Sequence, residues 1–483
     1  MQFNSYIFIF AFLPLTVILY FMLNRIHIQA GKLFLVASGI LFYGWMNWSI
    51  LTVLLLSIGL NYLFIRLLLD GLRWKKLFLA IPVVINIGLL LYFKYLNFLI
   101  WNINAVFGLS IEFVKVVLPL GISFFTFQQI AFLVSVFRGE LLSPSLVDYL
   151  AFILFFPKLL MGPLMEPVDF VSQLNNGALK TLNWDHIACG IKIFCYGLLK
   201  KMLLADTFSK AVKWGFANYG RAGSLDWIII TLCYTFEIYF DFSGYSDMAT
   251  GASLMFNITL PINFDSPYKA LSIRDFWKRW HISLTKFLTK YIYIPLGGSR
   301  KGKHFTYLNT MIVFLVSGLW HGADWSFLLW GALHGFLSIY DRISDPLQRK
   351  IPSPFRCVFT FGAINALWLL FRSNSVRLWL SIMKKMVLQD GLPISTGLMD
   401  LFVQPEIEFV AKTIPLFGTL AELAPWIWMI LFLVAAFVIC LVPENNYRKL
   451  HQNSGATLIP ALFAFLWSVL CLSSETSFVY FNF

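Results

Sequence analysis

Apolar stretches typical of membrane helices recur along most of the chain and alternate with short polar or basic segments. A helix needs about 20 apolar residues to cross the hydrocarbon core of a bilayer. The clearest stretches lie at residues 6–23, 33–48, 50–69, 77–93, 307–319, 325–339, 355–371, 426–441 and 458–472. Together with interrupted stretches between them, they predict an all-α, polytopic integral membrane protein with about 11 to 13 membrane segments, some of them re-entrant.

Helix breakers and polar side chains interrupt the apolar pattern in the middle of the chain. Pro119, Gly121 and Gln128 lie in one such stretch, and further breaks follow at 155–158 and 162–163. Irregular backbone at membrane depth is tolerated only where it is buried in protein or lines a cavity. The breaks predict the irregular or re-entrant backbone that an active site requires, although ordinary kinks in a helical bundle would give the same pattern.

Three carboxylates lie within a single apolar stretch, residues 227–254. They are Glu237, Asp241 and Asp247. Ionisable side chains at membrane depth are expected to face the protein interior or water rather than lipid. These three groups could line an enzyme site, and they could equally form the proton path of a transporter.

Composition supports a membrane protein and excludes a soluble domain. The chain is 59% hydrophobic and only 13% charged, and its net charge is +13. Basic loops retained on the cytoplasmic side explain that charge. No nucleic-acid-binding motif accompanies it, so nucleic acid is not an expected partner. The six cysteines lack the paired spacing of a disulfide framework or a zinc site.

Residues 268–304 form the most basic segment of the chain. They contain nine Lys or Arg and one acidic residue, Asp275, which predicts a cytoplasmic loop. Residues 297–303 fit most of a phosphate-binding loop, but His304 stands where that loop needs Ser or Thr for magnesium. A nucleotide-hydrolysis motif is therefore rejected. The glycines and cations could still bind phosphates of a diffusible cofactor, or they could be an ordinary basic loop.

Histidines are the strongest candidates for chemistry. His281 and His321 are each preceded by tryptophan, and His334 follows 13 residues after His321. These spacings do not resemble a metal-binding pair on one helix, so no metal is expected. Imidazole suits proton transfer near neutral pH. Asp324 is expected one helical turn from His321, where it could orient the ring.

The tryptophans of this region allow two interpretations. They could anchor helices at the membrane interface, or they could wall a dry pocket that strengthens electrostatic contacts. The residues concerned are Trp277, Trp280, Trp320, Trp325 and Trp330.

Several ordered blocks resemble the signature of the membrane-bound O-acyltransferase family. They are DFSGYSD at 241–247, LPINF at 260–264, RDFWKRWHISL at 274–284, YIPLGG at 293–298 and GLWHG at 318–322. PLGISFFTF at 119–127 and FVYFNF at 478–483 look like the bacterial alginate O-acetylation branch. The resemblance covers nearly the whole chain and implies one domain over residues 1–483, with a signature core at about 115–375.

The resemblance also implies an activity and its site. His321 would be the membrane-embedded catalytic histidine and His281 the second signature histidine. The protein would be a multi-pass protein of the bacterial inner membrane. Its acyl donor, acetyl-coenzyme A, would reach the site from the cytoplasm. A periplasmic SGNH-type transferase would receive the acetyl group outside and O-acetylate an alginate-like extracellular polysaccharide. The alternatives are D-alanyl or other acyl transfer to teichoic acid, peptidoglycan or cellulose, and a proton-coupled transporter or flippase.

The resulting hypothesis is acyl transfer within a transmembrane tunnel walled by protein. We expect cations at the inner side to hold the coenzyme A phosphates: Arg274, Lys278, Arg279, Arg300 and Lys301. Other side chains are expected to contact donor or acceptor: Trp280, Ser283, Trp320, Asp324, Asp241 and Asp247.

Overall fold

The structure, a computed structural model, describes residues 1–70, 73–388, 393–413, 423–443, 455–473 and 478. Helices account for nearly all regular structure in these ranges, and no strand occurs among them, so the all-α prediction is confirmed. The chain forms two compact units. Unit 1 contains Met1–Phe194 and Ser246–Pro261, and unit 2 contains Cys195–Tyr245 and Ile262–Phe483. A single domain over residues 1–483 stays a prediction.

Helices of the N-terminal part of the chain build unit 1. They are a π-helix Phe8–Phe12, α1 Leu13–Ile26, α2 Ile28–Gly44, α3 Trp48–Leu69, α4 Lys75–Leu90, a π-helix Leu91–Tyr95, α5 Leu96–Phe107, α6 Ile122–Phe137, α7 Leu146–Leu154, α8 Phe156–Leu159, α9 Pro167–Asn175, a 3-10 helix Gly177–Lys180 and α10 Trp184–Leu199. The last residues of α10 belong to unit 2.

Unit 2 holds the signature blocks at 274–284, 293–298 and 318–322. Its helices are a π-helix Lys200–Ala205, α11 Asp206–Ala217, α12 Ser224–Leu254, a 3-10 helix Pro267–Lys269, α13 Ile273–Arg279, α14 Ile282–Leu288, a π-helix Thr289–Tyr293, α15 Lys303–His321, α16 Trp325–Gln348, α17 Ser353–Ser373, α18 Val376–Leu388, α19 Thr396–Met399, a 3-10 helix Asp400–Phe402, α20 Pro405–Thr413, α21 Pro425–Leu441, α22 Gly455–Leu470 and a 3-10 helix Cys471–Ser473. The end of α12 belongs to unit 1. Of the terminal block at 478–483, only Phe478 lies within the described residues.

Several helices are long and apolar enough to cross a membrane. Within the described ranges, four continuous helical stretches meet that requirement: Phe8–Ile26, Trp48–Leu69, Lys75–Phe107 and Ser353–Ser373. Shorter apolar helices lie at Ile28–Gly44, Ile122–Phe137 and Pro425–Leu441. The prediction of a polytopic membrane protein is confirmed, and the count of about 11 to 13 segments stays a prediction.

Helix α1 has apolar side chains on its outside and polar ones within. Leu15, Ile18 and Met22 are each more than half exposed, whereas Thr16 and Asn24 are buried. A soluble helix would show the opposite distribution. Leu15, Ile18 and Met22 therefore form a lipid-facing surface of unit 1.

A network of buried amides joins helices of unit 1. Asn86 on α4 donates to Asn61 on α3 at 2.7 Å, and Asn61 donates to Gln129 on α6. Gln129 also accepts from the Tyr149 hydroxyl at 3.3 Å. Polar groups away from water must be paired with one another. The network therefore fixes the relative positions of these helices in unit 1.

Irregular backbone occurs where helix breakers interrupt the apolar pattern. Helix α6 begins after Gly121, whose φ of +74° favours glycine, and a side chain there would lie 3.1 Å from the carbonyl oxygen of Leu160. Helix α7 ends at Leu154, the single turn α8 follows, and extended backbone leads to α9. The predicted irregular backbone is confirmed, whereas its re-entrant course stays a prediction.

Two glycines allow α15 and α16 to approach each other closely. A side chain at Gly318 would collide with the carbonyl of Phe327, and one at Gly331 would collide with the carbonyl of Phe314. Small residues at such contacts are a common packing device in membrane proteins. The contact holds the end of α15, where His321 lies, against the start of α16.

Gly331→Ala should destabilise the protein, because backbone must move to accommodate the methyl group. Overpacking of this kind costs about 1–3 kcal/mol. The matched control is Gly362→Ala on α17, where a methyl group meets no atom within 4 Å. Thermal unfolding in detergent should give a lower Tm for the first variant and an equal or higher Tm for the second. Equal losses of Tm would contradict the close helix contact.

Candidate active site

His281 lies between α13 and α14, with its side chain buried at 1% exposure. Its backbone is left-handed, with φ of 45°, which is uncommon for a residue with a side chain. The ring nitrogen Nδ1 lies 3.2 Å from Oδ1 of Asn263. The same oxygen accepts from the backbone N–H and the hydroxyl of Ser283, at 3.2 and 2.9 Å. These contacts fix His281 in place and bury Ser283 beside it.

The hydrogen bonds also determine where the proton of His281 lies. Asn263 Oδ1 already accepts from Ser283, so it faces His281 Nδ1 as an acceptor, and Nδ1 carries the hydrogen. The other nitrogen, Nε2, then carries a lone pair instead of a hydrogen, and it has no hydrogen-bond partner among the described residues. Neutral His281 in this tautomer can accept a proton at Nε2.

His321 is the last residue of α15 and is 4% exposed. Its ring packs edge-on against Trp320, Trp330 and Phe371, with centroid distances of 4.8, 5.2 and 5.2 Å. Aromatic walls exclude water and strengthen electrostatic contacts within a site. His321 thus has the dry surroundings in which an imidazole can act on a reacting group.

Trp320 contacts both histidines. Its ring centroid lies 6.0 Å from that of His281 and 4.8 Å from that of His321. Forty residues separate the two histidines in the sequence. The fold of unit 2 therefore gathers the two predicted catalytic residues around one indole.

A cavity of about 270 Å³ lies among α13, α14, α15 and α16. Its walls are mainly apolar and aromatic, and its cations are Arg274, Lys278 and Arg342. No carboxylate is among the lining side chains in the described part of the chain. The residues that line the cavity are Arg274, Trp277, Lys278, Leu284, Thr285, Leu288, Thr289, Tyr293, Tyr307, Thr310, Val313, Phe314, Ser317, Ser338, Ile339 and Arg342. An elongated anion with an apolar arm would suit this combination.

Comparison with known proteins places this site in a family. The model of the membrane-bound O-acyltransferase family matches residues 122–381, more than half of the chain. The chain belongs to the membrane-bound O-acyltransferase family. It is therefore an O-acyltransferase and a multi-pass membrane protein, as predicted.

The chain is similar to several named members of this acyltransferase family. It is 35% identical to the peptidoglycan O-acetyltransferase of Helicobacter pylori, across 100% of this chain and 97% of that protein. It is 37% identical to a protein of Azotobacter vinelandii named "Probable alginate O-acetylase", across 78% of this chain and 76% of that one. It is 30% identical to the teichoic acid D-alanyltransferase of Streptococcus thermophilus, across 48% of this chain and 58% of that one.

The position predicted for Asp324 is wrong. Helix α15 ends at His321, and Gly322 is extended, so Asp324 is not one helical turn from the histidine. Its carboxylate instead caps α16 by accepting the N–H of Ser326 at 2.7 Å. The error arose because the prediction continued the helix through Gly322, where the backbone is in fact extended. A role in substrate binding stays a prediction for Asp324.

Asp241 belongs to a buried ion cluster in unit 2. Lys201 lies 2.8 Å from Asp241 and 2.9 Å from Asp206, and the ring of Phe478 covers its ammonium group at 4.7 Å. Asp241 is 0% exposed. These contacts give Asp241 a structural partner. Asp247 is a partly buried residue of unit 1.

Two of the five cations predicted to bind coenzyme A line the cavity, namely Arg274 and Lys278. Arg279 instead forms an ion pair with Asp275 at 2.9 Å. Arg300 and Lys301 are exposed in the turn before α15 and are not lining residues. Arg342 takes part in the cavity and was not predicted, because it lies on α16, far along the chain from the basic segment.

The basic segment at 268–304 is mainly helical, and its cytoplasmic position stays a prediction. Ile273, Phe276 and Trp277 are buried along one face of α13, as are Leu284 and Phe287 along α14. Apolar residues at these spacings form an amphipathic helix. The many cations occupy the opposite faces and concealed that pattern.

Most of the tryptophans of this region are buried in the protein. Trp277, Trp280, Trp320 and Trp330 are all less than 10% exposed, whereas Trp325 is 54% exposed. Trp280 and Trp330 also pack against Trp368, at 4.9 and 5.9 Å. Four of the five are therefore interior residues rather than interfacial anchors, and Trp277 among them lines the cavity.

Proposed function

We propose that this acyltransferase takes acetyl from acetyl-coenzyme A on the cytoplasmic side and transfers it to a hydroxyl group on the outer side. The observation that carries the proposal is the contact of His281 and His321 with one indole, that of Trp320, in the unit that also contains the cationic cavity. The two substrates would meet in a protein-walled passage through the membrane. Neighbouring rings would keep water from the thioester.

His321 would act as the general base. It would accept the proton of the acceptor hydroxyl while that oxygen attacks the thioester carbonyl. The carbon–sulfur bond then breaks, the acetyl ester forms, and the coenzyme A thiolate leaves with the proton returned by His321. His281, whose Nε2 lone pair is available, would bind the acceptor hydroxyl before transfer. Trp280 would support these rings from behind, through its contacts with Phe264 and Trp368.

The cavity would bind the acyl donor. Its volume of about 270 Å³ is slightly below the range of about 300–1,000 Å³ that is usual for ligand pockets. The cavity would therefore receive the thioester arm, while the phosphates stay at the rim. Lys278 and Arg342 are exposed there and Arg274 is partly buried, so their charges can reach phosphate without being buried.

The acceptor side is proposed from the relatives. Peptidoglycan is the first acceptor to test, because the relative named for it aligns with the whole chain. An alginate-like polysaccharide is the second, through a periplasmic SGNH-type transferase that would carry the acetyl group. With either acceptor, the protein would act in the inner membrane of a bacterium.

Purified protein in vesicles tests the donor. With acetyl-labelled coenzyme A outside and peptidoglycan fragments inside, label should appear in the fragments as alkali-labile ester. Vesicles without protein and vesicles given labelled free acetate are the controls. Transfer of labelled D-alanine from a D-alanyl carrier protein, with no transfer of label from acetyl-coenzyme A, would show that the proposed donor is wrong.

Arg342→Gln should raise the KM for acetyl-coenzyme A by about two- to fivefold and leave kcat nearly unchanged. An exposed charge contact is worth about 0.5–1 kcal/mol, and added salt should weaken it. The matched control is Arg349→Gln just beyond α16, since Arg349 forms an exposed ion pair with Asp345. A similar KM for both variants would mean that Arg342 does not face the donor.

A further inference from the structure

His334 is a third buried histidine of unit 2 that the proposed reaction does not use. It lies on α16 and is 0% exposed. Its ring is enclosed by Trp330 at 4.5 Å, Trp277 at 5.1 Å and Phe314 at 6.2 Å. Burying an imidazole in an aromatic enclosure costs free energy unless its nitrogen atoms form hydrogen bonds. One of the two nitrogen atoms of His334 forms such a bond.

The indole N–H of Trp277 donates to Nδ1 of His334 at 3.2 Å. Since Nδ1 accepts, the ring hydrogen lies on Nε2, which has no hydrogen-bond partner among the described residues. The neutral ring of His334 is therefore an acceptor for one donor, the side chain of Trp277. The contact joins α16 to α13.

Trp277 forms part of the inner wall of the cavity. Among the lining residues, Trp277, Ser317 and Ser338 are buried and mark the deep part of the cavity, whereas Lys278 and Arg342 are exposed and mark its mouth. The deep end also has an unused polar group, because the Ser338 hydroxyl lacks a hydrogen-bond partner in the described part of the chain.

The same indole leads toward the catalytic histidine. Trp277 packs against Trp330 at 5.8 Å, and Trp330 packs against His321 at 5.2 Å. A shift of Trp277 would therefore change the deep end of the cavity and the packing behind His321 together.

We propose that His334 is a positioning residue that holds the indole of Trp277 as the inner wall of the donor cavity and so limits the acyl chain to a short one. This rests on the proposed function, in which the cavity receives the thioester arm. Without the acceptor at Nδ1, the indole can rotate. The rotated indole no longer confines the acyl group, so acetyl is held less well and a longer chain gains room.

Two substitutions separate the hydrogen bond from the bulk of the ring. The side-chain oxygen of asparagine can take the place of Nδ1, whereas that of glutamine reaches the region of Nε2. His334→Asn should retain the wild-type KM for acetyl-coenzyme A. His334→Gln should raise that KM about three- to tenfold, the effect of one hydrogen bond, with a smaller change in kcat. It should also raise the ratio of kcat/KM for propionyl- over acetyl-coenzyme A.

Trp277→Phe removes the donor of the same bond. It should change KM and the propionyl ratio as His334→Gln does, and the double variant should be little worse than either single one. Matched controls are His304→Gln, exposed on α15, and Trp325→Phe, exposed on α16. Both controls should behave as wild type.

The position of the wall can also be measured without acyl transfer. Ser317 lines the cavity from α15, so Ser317→Cys provides a thiol for a small maleimide. Labelling should be several-fold faster with His334→Gln than with His334→Asn. Equal labelling and equal KM for these two variants, or additive effects with Trp277→Phe, would overturn the positioning role. If His334→Gln speeds labelling but the wild-type protein does not use acetyl-coenzyme A, the proposed donor is wrong and the positioning role of His334 stands.

Discussion

Replacing His321 with alanine should reduce acyl transfer by at least about 10²-fold while the protein remains folded in the membrane. A positioned general base contributes about 10²- to 10⁴-fold in rate. Because His321 is packed among aromatic rings, alanine also leaves a void. His321→Gln, which keeps more of the volume, should lose activity to a similar extent. Transfer of labelled acetyl is measured in vesicles at equal protein abundance.

The matched control is His304→Ala, since His304 is exposed near the start of the same helix. It should retain wild-type activity. Adding His281→Ala to the His321 variant should cost little more, because residues that act in one step are not additive. Acetylation at the wild-type rate by both His321 variants would exclude this histidine as the base.

Replacing Lys201 with methionine should destabilise the protein by about 3–5 kcal/mol, because it removes the cation that pairs with both Asp206 and Asp241. A loss of that size is a large part of the about 5–15 kcal/mol that keeps a typical protein folded. The expected result is a low yield of folded protein and a strongly reduced Tm in detergent. Activity per folded molecule should change much less than the yield.

Two variants make that result specific. Lys384→Met removes an exposed lysine of α18 and should have little effect. Asp241→Asn should cost less than Lys201→Met, because Lys201 keeps Asp206 as a partner. A Tm for Lys201→Met equal to that of Lys384→Met would mean that the cluster contributes nothing to stability.

The buried ion pair also bears on the transporter interpretation. A proton path needs groups that exchange protons with water, whereas Asp241 is fully buried against Lys201. Together with membership of the acyltransferase family, this contact favours a structural role for Asp241.

The membrane segments were readable from sequence because lipid imposes length and composition on each of them. The predicted stretch at 50–69 corresponds to α3, Trp48–Leu69, and the stretch at 355–371 corresponds to α17, Ser353–Ser373. The start of α3 lies earlier than predicted because Asn47 caps it, by accepting from two backbone N–H groups. Polar caps beside tryptophan are easily overlooked in an apolar pattern.

The site was only partly readable, because it depends on contacts between distant helices. The two histidines could be selected as chemical groups, but nothing in the chain order showed that they share Trp320. Arg342 and the bond from Trp277 to His334 were missed for the same reason. The error at Asp324 has a local cause, since the extended backbone at Gly322 ends the helix that was expected to continue through Asp324.

The ring of Phe478 over Lys201 has a consequence for biogenesis. Lys201 is among the first residues of unit 2 to be synthesised, and Phe478, which covers it, comes much later. The ribosome therefore completes Lys201, Asp206 and Asp241 before Phe478 exists. During that interval the cluster lacks one of its walls. Unit 2 can therefore reach its final packing only when synthesis has passed residue 478, however early its first helices enter the bilayer.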